Sequence, residues 1–72
     1  MSSADKLLNV LGLYTVDRSV WSVEEAAAEL GVSMSTAYRY FNALVARGLL
    51  DRVTRNRYVL GPAFIEFDFN GP

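Results

Sequence analysis

Gly31-Val32-Ser33 constrains this chain more than any other stretch, because it stops one helix and starts another with a single residue between the two signals. Gly31 suits the left-handed backbone that ends a helix, and Ser33 is a good N-cap whose hydroxyl can accept from a free N–H of the next turn. Upstream, Ser22-Val23-Glu24-Glu25 is a capping box, with Trp21 and Ala26 as its hydrophobic staple. A helix therefore starts at Val23 and turns Val23, Ala26, Ala27 and Leu30 inward. Downstream, Gly48 supplies the stop for the helix that Ser33 starts. Ala27 leaves room for close packing beside the turn, Val32 is a buried plug, and Ala37 is the small residue beyond it. Two helices joined by so short a glycine turn cross at a wide angle, the geometry of a helix-turn-helix.

The second helix of the pair has two faces. At about 100° per residue, Ala37, Tyr40, Phe41 and Leu44 fall on one arc, and Ser35, Arg39, Asn42 and Ala46 on the opposite one. The second arc has the chemistry of a major-groove reader. Arg bridges guanine O6 and N7, Asn pairs with adenine, Ser and Thr donate to bases or phosphates, and a small Ala lets the backbone approach. By composition alone this is also an ordinary solvated face, so the elements on either side decide the reading.

After Gly48 the periodicity changes. Leu49-Leu50-Asp51-Arg52-Val53 and Arg57-Tyr58-Val59-Leu60 are β-prone runs separated by Thr54-Arg55-Asn56, with Asn suited to the backbone of a tight tip. A hairpin carrying Arg55 and Arg57 directly after a recognition-type helix is the wing of a winged helix-turn-helix. Isolated arginines usually just solubilise a hairpin; here the order helix, glycine turn, helix, hairpin points them at phosphates or the minor groove. The charge distribution agrees. The chain's net charge of −1 hides a segment, residues 33–60, with five arginines against Asp51 alone. A local patch, not the total, governs contact with a polyanion.

The first helix is predicted from about Asp5 to Tyr14, capped by Ser2 or Ser3. Leu7, Leu8, Leu11 and Tyr14 form its apolar stripe, Val10 widens it, and Gly12 marks close packing against another element. Asp17-Arg18-Ser19 reads as a polar loop, and Val20-Trp21 as no more than a stub of strand, with Trp21 structural. At 72 residues the chain is one small domain. No apolar run approaches the roughly 18 residues of a membrane span, and Met1-Ser2-Ser3-Ala4-Asp5 lacks the pattern of a secretory signal, so a soluble, cytoplasmic protein is expected. The chain contains neither Cys nor His, which removes disulfides, thiol nucleophiles, the usual zinc sets and the commonest general base. Glu24, Glu25 and Asp51 show no acid/base spacing. No enzyme, cofactor or metal is expected.

The run Ser22 to Arg39, then Leu44-Val45-Ala46-Arg47-Gly48-Leu49-Leu50, then Arg57-Tyr58-Val59-Leu60-Gly61-Pro62 resembles the N-terminal DNA-binding domain of IclR-type bacterial transcriptional regulators. The likeness extends over residues 5 to 66. Its most telling parts are Ser35-Thr36 near the start of the recognition helix and the Arg-Tyr-x-Leu-Gly-Pro exit from the wing. Tyr40 and Phe41 depart from it, being bulkier than the family's usual aliphatic pair. The resemblance implies a mainly α fold with a small β-hairpin, three helices plus a wing. It also implies binding of double-stranded DNA as a homodimer or higher oligomer, and a C-terminal domain, absent here, that takes a small-molecule effector. Ser35, Thr36 and Arg39 match contact positions of the recognition helix, and Arg55 and Arg57 match positions of the wing. Gly31-Val32-Ser33 with Thr36, Tyr38, Arg39, Tyr40 and Phe41 is also similar to the recognition helix of TetR-type regulators, but the hairpin after Gly48 rules out that all-helical architecture.

The expectation is then a winged helix-turn-helix over 1–62 and the start of a linker over 63–72. Ser35, Arg39 and Asn42 read bases with Tyr38 at the margin, while Ser33, Thr36, Arg55 and Arg57 hold phosphates or the minor groove. The alternative is a winged-helix protein-interaction or assembly module, favoured by the acidic first half and by Phe64, Ile65, Phe67 and Phe69 in the tail. Those four side chains exceed what so small a domain buries and predict a dimer contact or the surface where a further domain begins. A short helical turn from Pro62 and disorder over Asn70-Gly71-Pro72 complete the expectation.

Overall fold

A computed structural model describes residues 3–62, and the caps set its element boundaries. Helix α1 spans Ser3–Leu11, α2 Val23–Leu30 and α3 Met34–Ala46; strands β1, Leu50–Thr54, and β2, Arg57–Leu60, follow. Ser22 caps α2 in a complete capping box: its Oγ accepts from the Glu25 N–H at 3.1 Å, and its N–H donates to Glu25 Oε1 at 3.0 Å. Gly31 closes the helix at φ 71°, and the Val32 N–H donates back to the Ala27 carbonyl at 3.0 Å. The end of α3 repeats the device. Gly48 takes φ 75°, its N–H donates to Val45 at 2.9 Å, and the Leu49 N–H reaches Leu44 at 2.9 Å, a Schellman closure.

The core sits between the three helices and the hairpin. Val10, Trp21, Val23, Ala26, Ala27, Ala37, Phe41, Leu44, Leu50 and Tyr58 are buried, with Val32 and Tyr40 half-buried against them. Ala26 and Ala27 of α2 and Ala37 of α3 are among the buried residues, small side chains that suit close packing of two helices. The Tyr58 ring meets Phe41 edge-on at 4.8 Å and 70°, locking the hairpin to α3.

The structure departs from expectation at several places. Helix α1 ends at Leu11, and Tyr14 packs from the following loop, where its hydroxyl donates to the Tyr58 carbonyl at 2.9 Å. Ser3 lies inside the helix and is not its cap. Val10, not Leu8, is the residue that α1 buries; Leu8 is 61% exposed. Among the described residues Gly12 approaches no other element, since a Cβ there would face the Leu8 and Asn9 carbonyls of its own last turn. At the hairpin, Thr54 belongs to β1, and the tip is Arg55-Asn56 alone.

The tip also solves its geometry differently from expectation. Among the described residues no non-glycine has positive φ, so Asn56 is not left-handed. Instead the register shifts between Arg52, opposite Tyr58, and Thr54, opposite Arg57, leaving Val53 as a bulge that supplies the extra twist. Trp21 forms the stub of strand expected: it exchanges backbone hydrogen bonds with Tyr58 at 3.1 and 2.9 Å, an isolated one-residue bridge at the edge of the hairpin. The helical turn onward from Pro62, the apolar tail from Phe64 to Phe69 and residues 70–72 fall outside the described residues.

Candidate nucleic-acid interface

Helix α3 is oriented by what it buries. Ala37, Phe41 and Leu44 face the core, which leaves Ser35, Tyr38, Arg39, Asn42 and Ala46 exposed along the opposite side. At its N-terminus three hydroxyls meet. Ser33 Oγ accepts from the Thr36 N–H at 3.2 Å, donates to Thr36 Oγ1 at 2.9 Å and lies 3.3 Å from Ser35 Oγ. Ser33 has one proton and gives it to Thr36 Oγ1, so Ser35 is the donor in the longer contact, and the hydroxyl hydrogen left to point outward is that of Thr36.

The wing presents Arg52, Arg55 and Arg57 to solvent. Its body is fixed by Tyr58, whose carbonyl accepts from both the Tyr14 hydroxyl and the Trp21 N–H. Alternation along β2 does the rest, because burying Tyr58 turns Arg57 outward. At the tip, Asn56 Nδ2 donates to Glu24 Oε1 of α2 at 3.3 Å.

The structure sorts the arginines by what they touch. Arg18 stacks on the Trp21 ring at 3.6 Å and pairs with Glu25 at 3.2 Å, and the Trp21 indole N–H donates to the Leu13 carbonyl at 3.1 Å. Arg47 donates to the Ala43 carbonyl at 3.4 Å at the end of α3. Arg39, Arg52, Arg55 and Arg57 have no ion-pair partner among the described residues. Arg39 and Arg47 flank a shallow groove floored by Leu7, Tyr40 and Ala43. Arg52, in the same positive segment, is exposed on β1 opposite Tyr58 in the ladder.

Two titrating groups are displaced, and neither belongs to the exposed face. Burial and then the neighbouring Tyr58 push the Tyr14 phenol well above its ordinary range. The Ser22 N–H, and more weakly Arg18, hold the Glu25 carboxyl below the usual carboxylate value. Among the described residues no cluster of His, Cys, Asp or Glu suits a metal ion, and no helix is long and apolar enough to cross a membrane.

Comparison with known proteins agrees with this architecture. The family model for the IclR helix-turn-helix domain matches residues 3–54, from α1 through β1. An IclR homolog from Microbacterium sp. strain HM58-2 is similar at 25% identity with a TM-score of 0.89, over 99% of this chain and 30% of its own. An IclR homolog from Microbacterium hydrocarbonoxydans, complexed with 4-hydroxybenzoate, gives the same values. A structure assigned as an IclR transcriptional regulator, from Silicibacter sp. TM1040, is 25% identical with a TM-score of 0.86, over 93% of this chain and 26% of its own. No curated protein matches the chain. The chain thus spans less than a third of the length of these solved relatives. The family match ends before β2, so the Arg-Tyr-x-Leu-Gly-Pro exit lies outside it, although the solved structures align over almost the whole chain. With three helices in this order, the glycine turn and the hairpin, the chain belongs to the IclR helix-turn-helix family, as a winged helix-turn-helix of the DNA-binding, transcription-regulating kind.

Proposed function

We propose that the chain is the DNA-reading part of a bacterial transcriptional regulator, with α3 in the major groove and the wing along the flanking backbone. Ser35, Arg39 and Asn42 read bases, with Tyr38 at their margin. Thr36, Arg55 and Arg57 hold phosphates or the minor groove, and Ser33, whose one proton goes to Thr36 Oγ1, supports Thr36 there in place of the direct contact its sequence position suggests. The observation that supports this is the division of cations: Arg39, Arg55 and Arg57 are exposed and carry no ion pair among the described residues, on the recognition helix and on the wing that packs beside it. An uncommitted guanidinium meets a phosphate or a guanine edge without first breaking an internal contact.

The relatives' greater length supports the larger scheme, in which residues 1–62 are the DNA-binding domain and 63–72 begin a linker to a C-terminal effector-binding domain. Pairing of two copies then matches two half-sites on cytoplasmic DNA. The chain carries out no catalysis of its own. The test is fluorescence anisotropy of the 72-residue chain against random-sequence duplex DNA at low and high salt. Salt-sensitive binding supports the reading and justifies selecting the preferred site from a random pool. A folded, dimeric sample that fails to bind at low salt refutes it in favour of a protein-interaction module.

A further inference from the structure

A two-stranded hairpin is marginally stable by itself in water, so the direction in which a wing points depends on what ties it down. The base of this wing is tied twice, by the Trp21–Tyr58 backbone pair and by the Tyr58 ring on Phe41. Its far end is a different matter. Val53, Thr54, Arg55 and Arg57 are exposed, and Arg55 and Arg57 pair with nothing among the described residues. One contact remains there, the Asn56 amide donating to the Glu24 carboxylate, 32 residues earlier in the chain.

Both partners suit a tether. Glu24 lies in the first turn of α2, which its capping box makes a fixed point, and the helix N-terminus favours a carboxylate there. A carboxylate only accepts, so it requires the NH₂ side of the Asn56 amide and fixes which way that side chain turns. Glu24, Asn56 and Arg57 line one open cleft between α2 and the wing. Arg57 forms no ion pair with the acid in that cleft. The carboxylate therefore holds the tip without neutralising the cation beside it.

We propose that the Glu24–Asn56 contact is a clamp that sets the angle of the wing against the helix-turn-helix, making both residues positioning residues for Arg55 and Arg57. The proposal rests on the reading that the wing meets DNA. Glu24→Gln and Glu24→Ala remove the same charge, but only Gln retains an acceptor for Asn56. Asn56→Ala removes the clamp and keeps the charge.

The experiment measures backbone order at residues 54–57 by ¹⁵N relaxation on the 72-residue chain, together with the salt dependence of binding to random-sequence duplex DNA. Glu24→Ala and Asn56→Ala are expected to loosen the tip equally and non-additively, while Glu24→Gln keeps it ordered. The magnitude of the slope of log affinity against log salt should fall by up to about 1.8, about 0.9 for each of the two arginines, for Glu24→Ala relative to Glu24→Gln, and likewise for Asn56→Ala relative to wild type. Unchanged tip order, or identical behaviour of Glu24→Ala and Glu24→Gln, overturns the clamp. Arg55→Gln and Arg57→Gln separate the two levels. If they lower the slope while the clamp variants do not, the wing reading stands and the clamp falls. If they leave the slope unchanged, the wing reading fails and takes the positioning role with it.

Discussion

Replacing Gly61 with alanine places a methyl group inside the base of the wing. A Cβ there would collide with the Gly48 carbonyl oxygen and lie 3.1 Å from the carbonyl carbons of Gly48 and Leu50. All three are backbone atoms, with no rotamer to swing aside. Relief requires the chain at residue 61 to move by about 1 Å to reach ordinary contact distance. That movement pulls on the Gly61 N–H, which donates to the Leu49 carbonyl at 2.9 Å and closes the hairpin's open end. Overpacking of about 1–3 kcal/mol and a weakened hydrogen bond of about 0.5–1.5 kcal/mol put the expected loss near 2–3 kcal/mol. In a domain this small that lowers Tm by roughly 10–20 °C. Gly31 is the control, since a Cβ there meets nothing within 4 Å and its need for glycine is the φ of 71°. Gly31→Ala should cost about 1–2 kcal/mol, part of which Gly31→Asn restores because Asn tolerates the left-handed region. Gly61→Asn should be worse than Gly61→Ala. Urea unfolding of the four variants measures this. Gly61→Ala within about 0.5 kcal/mol of wild type, or recovery by Asn at both positions, would falsify the steric argument.

Three further outcomes follow from the same contacts. Arg39→Ala should cost about 1–3 kcal/mol on a site selected from a random pool and relax preference at one base; equal losses on selected and scrambled DNA would contradict its role. Tyr14→Phe should cost about 0.5–1.5 kcal/mol at neutral pH by removing the bond to the Tyr58 carbonyl. Because the folded pKa of Tyr14 is raised, its protonated form is the one the fold favours; the stability it contributes is fully present below about pH 10 and is lost as pH rises toward the folded value. The gap between wild type and Tyr14→Phe should therefore narrow in alkaline unfolding titrations, and parallel profiles would show the reasoning to be wrong. Arg18→Gln should leave the salt slope for DNA unchanged, since Arg18 is already held by Trp21 and Glu25, while lowering stability by about 0.5–1 kcal/mol. A slope change as large as that of Arg55→Gln would refute the sorting of the arginines.

What was legible in the sequence was local. Ser22 with Glu25, Gly31, Ser33 and Gly48 act on backbone groups within one turn, so residue types at short spacing suffice to locate the ends of α2 and α3. The phase of α3 was also legible, because its apolar and polar arcs do not overlap. Helix α1 offered no such clarity. Leu7, Leu8, Val10 and Leu11 spread over most of a nine-residue helix, and nothing within it says that Val10 faces the core and Leu8 does not. Tyr14 continued the helical spacing by coincidence, while its hydroxyl answered to a carbonyl 44 residues away. The tip of the wing misled for a related reason. Asn56 is suited to a left-handed turn, yet the bulge at Val53 absorbs the twist and frees its amide for Glu24.

The candidate site divides along the same line, and the division explains which charges are left without an internal partner among the described residues. Arg18 and Arg55 are one residue type, each in a polar stretch beside β-prone residues, and composition cannot separate them. Space does: Arg18 folds onto an indole and a carboxylate, whereas Arg55 stands at the end of a hairpin with no ion-pair partner among the described residues. The same holds for direction. Arg57 points outward because Tyr58, its neighbour in β2, points inward, with its ring on Phe41 of the recognition helix and its carbonyl held by Tyr14 and Trp21. A single buried aromatic thus couples the core face of α3 to the exposed edge of the wing.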